Sequence, residues 1–237
     1  MNGSAGLDQK IDARRQLQSL FATAQLGYNE FVYLDLSARN DWSSTLAYTS
    51  HEKSGFFYPS VGFSLIFNKL MTLPRWVSLA KIRGAYSMVG NDIPMFITNP
   101  SSHITAGGEF LASDAAPFKD MEPEMTHSFE AGIEARFLKN RIGLNATFYK
   151  TNTRNQFFKL PTLSGDKYAY RYVNAGDIQN VGWEISLDAV PLLTNHFKWK
   201  TEVNFSTNRN KIISLHEALK EFLYGPTSFS SSYAMNW

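Results

Sequence analysis

Glu130 and Glu134 sit within HSFEAGIEARFL (His127 to Leu138), and on a strand they share one face two pleats apart. Two carboxylates at short range could divide the acid and base roles of glycoside hydrolysis. Arg136 and the basic residues of other strands offer them ordinary ion-pair partners instead. HEALK at His216 lacks the second His of a zinc-protease helix, and Ser214 followed by Glu217 reads as a capping box opening a short helix, SLHEALKEFL. GFSLI at Gly62 lacks the closing Gly of a nucleophile elbow. The 5 His residues show no ligand spacing, and the absence of Cys excludes disulfides and thiolate metal sites. Asn145-Ala-Thr and Asn204-Phe-Ser match the glycosylation sequon, yet each Asn falls in a strand pattern. The expectation is a protein that is not an enzyme and needs no cofactor or metal.

The elements that carry these residues explain why the chemistry is thin. Aromatics make up 14% of the 237 residues, which favours strands, because flat rings pack well on a pleated surface. A net charge of +2 with no clustered basic face argues against a nucleic-acid partner. No stretch approaches the ~18 apolar residues of a membrane helix, but a membrane-crossing strand needs only ~9–11 and hides its hydrophobicity at alternate positions.

Period-two reading brings out about eight segments. They are Gln16 to Tyr28, Phe31 to Asn40, Tyr58 to Asn68, Val77 to Val89, His127 to Leu138, Arg141 to Asn155, Asp177 to Val190 and Phe197 to Asn210. One face collects Val32, Leu34, Leu36; Phe63, Leu65; Ile82; Ile133; Leu144, Phe148; and the unbroken series Val181, Trp183, Ile185, Leu187. The other holds Asp35, Arg39, Lys81, Arg83, Glu130, Glu134, Arg136, Glu184, Asp188 and Glu202. An antiparallel sheet between two different environments requires this division.

Short and long connections alternate strictly, from the short YNE at Tyr28 to the very long Gly90 to Thr126. In an up-and-down meander every tight turn then falls at one end and every long loop at the other, the layout of an outer-membrane barrel. Aromatics gather near both ends, as bilayer-interface girdles do. Val181 to Ala189, tilted by ~45°, projects to roughly 19 Å, approaching the ~25 Å apolar band of such barrels. A β-sandwich shares the alternation but has no reason to collect its long loops at one end. A soluble β-sandwich carbohydrate-binding module and a glycosidase are the rival readings. Long loops are commonly functional, and the longest is expected to contact a ligand or partner.

Several phrases resemble one family, the SusC/RagA-type TonB-dependent outer-membrane transporters. They are YLDLSARNDWSSTL (Tyr33 to Leu46), FFYPSVGFSLIF (Phe56 to Phe67), KIRGAYSMVGND (Lys81 to Asp92), MEPEMTHSFEAGIEARFLKNRIGLNATFYKTNTRNQ (Met121 to Gln156) and YVNAGDIQNVGWEISL (Tyr172 to Leu187). The resemblance implies an all-β fold, an antiparallel up-and-down meander forming part of a barrel of about 22 strands. It implies import of oligosaccharides or peptides across a Gram-negative outer membrane, with a SusD-like surface lipoprotein as partner and energy from the TonB complex.

Within that family residues 1–237 read as a partial barrel domain: 1–15 a leading segment, 16–210 strands and loops, 211–237 an extracellular loop with the short helix. Neither plug domain, signal peptide nor TonB box is recognised, so the expectation is an internal portion of barrel wall. Val181, Trp183, Ile185, Leu187, Phe63, Leu65 and Ile133 are expected to face the lipid bilayer. Trp42, Phe56, Phe57, Phe96 and Phe110 are the candidates for ligand contact. A wall cut from a wide barrel leaves two unpaired edges, so the isolated polypeptide is expected to aggregate or need detergent.

Overall fold

The computed structural model describes residues 14–214, apart from 54, 101, 105–107, 119–120 and 163–164. The proposed helix after Ser214 lies outside the described residues, and Ser214 itself ends a strand.

Eight long strands form one antiparallel sheet. They are β1 (Leu17–Tyr28), β2 (Val32–Ser43), β3 (Phe56–Ile66), β4 (Val77–Asn91), β7 (Glu124–Phe137), β8 (Ile142–Arg154), β11 (Asp177–Leu193) and β12 (Lys198–Ser214), adjacent in that order. All eight expected segments are present, with ends displaced by up to four residues. The sheet is open: β1 and β12 are its edges rather than partners.

Two small hairpins, β5 (His103–Ile104) with β6 (Phe110–Leu111) and β9 (Phe157–Pro161) with β10 (Tyr170–Asn174), lie in the long connections. The period-two reading passed over both, because two to five residues are too few to establish an alternation. A one-turn helix, α1 (Phe67–Leu70), follows β3.

Two of the tight connections are built on left-handed backbone. Asn29 and Glu30 have φ of 46° and 58°, and Phe31 N–H closes the turn on Tyr28 O at 3.1 Å. Leu138, Lys139 and Asn140 do the same between β7 and β8. Such conformations reverse the chain without splaying twisted strands.

Register fixes the tilt. Tyr28, Val32, Leu65, Ile82, Ile133, Ala146, Ile185 and Phe205 are successive partners across the sheet. Tyr28 is the last residue of β1, whereas Phe205 is the eighth of β12, so the row climbs seven residues over seven strand-to-strand steps. One residue per strand, ~3.3 Å along for ~4.8 Å across, corresponds to a tilt of about 35°, within the range of closed barrels.

The buried core gathers at the long-loop end of the sheet, where Phe56 and Tyr58 of β3 meet the connections. Leu46, Phe56, Ile93 and Met121 form one cluster, with Tyr58, Phe118 and Phe157 packed against it; Leu160 and Ala175 form a second. Both belong to the long-loop end. The loops are also stitched together: Ala169 N–H donates to Asp114 O at 2.9 Å and Ala116 N–H to Tyr170 O at 2.9 Å. The Asn174 side chain both accepts from Glu122 N–H at 2.7 Å and donates to Glu122 O at 2.8 Å, replacing a strand partner.

Candidate functional site: two faces and a loop platform

The apolar face is continuous, and nothing among the described residues covers it. Beside the row through Ile185 runs a second: Leu26, Leu34, Phe63, Gly84, Ala131, Phe148, Trp183 and Thr207. Phe148 and Trp183 pair at a ring-centroid distance of 5.1 Å. The Phe63 ring lies over Gly84, where an added Cβ would sit 2.5 Å from Cε1, so the large side chain needs the small one. Trp183, Leu187 and Phe63 remain 49%, 47% and 51% exposed, and Ile133 is likewise open. Val181, Ile185 and Leu65 share the same face at intermediate exposure. Among the described residues no second sheet packs on this face. That is the arrangement a β-sandwich forbids, since its apolar faces must meet.

The opposite face is polar and internally paired. Arg136 reaches Asp188 at 3.5 Å and Glu134 at 3.9 Å, and Lys81 reaches Glu134 at 3.9 Å. Arg83 donates to Thr147 Oγ1 at 2.7 Å and to Asn145 Oδ1 at 3.2 Å. Glu134 is therefore one rung of an ion ladder, while Glu130 stands opposite Ala85 and Tyr149. The two carboxylates share a face, as their spacing requires, but Glu134 is occupied by two cations.

At the long-loop end Asp92 gathers four donors. They are Ser43 Oγ at 2.8 Å, Ile93 N–H at 2.8 Å, Thr45 Oγ1 and the Arg15 guanidinium. This ties the start of the described chain to the connections after β2 and β4. Beside it opens a cleft of about 310 Å³ lined by Arg14, Ser44, Tyr48, Phe96 and Asn99 among others. Tyr48 and Phe96 both have φ of 69° and exposed rings. Left-handed backbone is costly for aromatic residues and persists where surroundings enforce it.

The five expected ligand-contact residues are dispersed. Phe56 requires a correction: at 2% exposure, stacked on Tyr58 with centroids 6.3 Å apart, it offers no ring face to a solute and belongs to the loop core. Trp42 and Phe57 lie on the apolar face near the long-loop ends of β2 and β3, and Trp42 Nε1 donates to Lys53 O at 3.2 Å. Phe110 is exposed on β6, and Phe96 lines the cleft. Tyr48 was missed, because nothing in LAYTS marks its backbone as left-handed.

An open, tilted meander with one bare apolar face, one paired polar face and its only described cores in the loops of one end defines a wall segment of a transmembrane β-barrel. Residues 2–220 match the family described as TonB dependent receptor-like, beta-barrel, and the chain belongs to that family. TonB-dependent receptor P39 of Formosa agariphila is 25% identical over 208 residues, covering 84% of this chain and 20% of its own length. TonB-dependent receptor SusC of Bacteroides thetaiotaomicron is 25% identical over 227 residues, covering 86% and 22% respectively. Among solved structures, the RagAB peptide importer in its open-open state superimposes with a TM-score of 0.74 at 24% identity, over 84% of this chain and 22% of that one. The chain thus spans about a fifth of the length of the relatives it matches.

Proposed function

We propose that this chain forms part of the wall of a TonB-dependent transporter of the SusC/RagA type in a Gram-negative outer membrane. Val181, Trp183, Ile185, Leu187, Phe63, Leu65 and Ile133 face lipid; the ladder of Lys81, Glu134, Arg136 and Asp188 faces the lumen. The carrying observation is the bare apolar face, which water would penalise at roughly 25 cal/mol per Å² and hydrocarbon would not. Trp42 and Phe57 serve as interface anchors on that face, where amphipathic rings favour the headgroup level. The Tyr48 and Phe96 cleft and Phe110 are offered to an oligosaccharide or peptide beneath a SusD-like lipoprotein. Energy from the TonB complex enters through other parts of the transporter. The supports are family membership and relatives named SusC and RagAB.

The test is uptake of fluorescent oligosaccharides and peptides by cells carrying the full transporter, with and without a functional TonB complex. TonB-dependent accumulation of either class supports the reading, and uptake indifferent to TonB overturns it.

A further inference from the structure

The apolar face does not stay apolar to its upper end. Lys150 on β8 and Arg209 on β12 both lie opposite Val181, one on each side. Lys211 follows two residues along, opposite Gln179, whose other partner is Asn152. Register partners share a face, so the three cations stand together with Val181 and Gln179 on the lipid side. Lys150 and Arg209 are two strand spacings apart, roughly 10 Å, and Arg209 and Lys211 about 7 Å.

All three are exposed, and none makes an ion pair among the described residues. The one carboxylate on this part of the face, Asp177, is already held by Arg154 at 3.2 Å and Asn152 at 2.7 Å. On the polar face Lys81 and Arg136 have carboxylate neighbours, and Arg83 is held by Thr147 and Asn145. The excess positive charge is local to the lipid side of β8, β11 and β12.

Height places this cluster at one specific level. Arg209 lies ten residues beyond Trp199 on β12, and Lys150 eight beyond Ile142 on β8. At ~3.3 Å per residue and a tilt of about 35° these are rises of roughly 27 Å and 22 Å from the short-turn rim. An apolar band of ~25 Å ends there, at the headgroups of the long-loop side. Cations at that depth meet the anionic groups of lipid directly.

We propose that Lys150, Arg209 and Lys211 form a docking site for the phosphorylated headgroup of an outer-leaflet glycolipid of the lipid A type. The proposal rests on the transporter reading for the orientation of the wall. The ammonium and guanidinium groups supply point-charge and forked donors to phosphate oxygens, and the acyl chains continue down the row of Val181, Trp183 and Ile185.

The experiment uses the full transporter, purified in detergent and exchanged into phosphatidylcholine nanodiscs with or without a minor fraction of lipid A; native mass spectrometry counts the lipid retained. Wild type is expected to retain lipid A and to release its dephosphorylated form. Combined substitution Lys150→Gln, Arg209→Gln and Lys211→Gln should weaken retention on the order of a hundredfold, about fivefold per charge. Arg141→Gln, at the opposite rim, should leave it unchanged. Unchanged retention in the triple variant, equal loss in the Arg141 variant, or displacement by inorganic phosphate alone would each overturn the site. Should the triple variant fail to fold, Lys150→Gln singly is read in its place. Fractionation of cells separates the two readings: a transporter absent from the outer membrane sinks both, whereas one present there without lipid A retention sinks only this site.

Discussion

Phe56 and Phe57 are neighbours in the chain and opposites in the fold: Phe56 is 2% exposed among Leu46, Ile93 and Met121, while Phe57 is 56% exposed on the apolar face of β3. Strand alternation alone separates them. Phe56→Ala should cost about 3 kcal/mol through the cavity left in the loop cluster, and Phe57→Ala well under that. Urea unfolding of the detergent-solubilised transporter, together with protease cutting of the connection after β2, measures both. Comparable losses at the two positions would mean that the loop cluster is not a packed core.

Ile185 lies between Ala146 and Phe205 on the apolar face, with Ser186 one pleat away on the polar one. Ile185→Arg in the full transporter should destabilise by roughly 2–4 kcal/mol, and Ser186→Arg should be mild. Folding titrations in lipid vesicles compare them directly, and equal effects would remove hydrocarbon from this face.

Asp92 accepts from Ser43, Thr45, Arg15 and the Ile93 amide, so its removal orphans several donors at once. Asp92→Ala should cost about 1–3 kcal/mol, expressed mainly as loosening of the long-loop end. Hydrogen exchange should rise in the connections after β2 and β4 and stay unchanged in β7 and β8. Uniform exchange across the sheet would show that Asp92 does not act as a local clip.

Glu30, in the tight turn before β2, accepts from Lys69 Nζ at 2.6 Å. That hydrogen bond, and then the ammonium's charge, holds the carboxyl below its ordinary 4.5, and the same contact raises Lys69 above 10.5. The Glu30 contribution is present above the unfolded carboxyl value and lost as pH falls through the depressed one. The Lys69 contribution is present below the unfolded amine value and lost as pH rises through the raised one. Both groups are fully exposed, so the clasp shows as a titration rather than as stability. NMR of the Glu30 carboxyl should give a midpoint under 4.5 that returns to it in Lys69→Met. An unmoved midpoint would mean that the contact does not persist in solution.

The eight long strands were legible because each carries an alternation of about ten residues or more, and a signal that long survives noise at single positions. The ion ladder was half legible: Lys81, Glu134, Arg136 and Asp188 could be assigned to one face, but their mutual partners depend on register between strands that are far apart in the chain. Phe56 was misplaced for a related reason. An aromatic residue at a strand end looks the same in sequence whether a folded loop covers it or leaves it bare.

By itself, then, the sequence determined the strands, the sorting of their two faces and the end at which the loops collect, because these follow from a period of two and from connection lengths. Only the tertiary structure decided the register between strands, the folding of the long connections into cores of their own, and the meeting of Lys150, Arg209 and Lys211 around Val181 and Gln179. Those features arise from hydrogen bonding between strands, which couples residues some sixty positions apart and leaves no trace in local pattern.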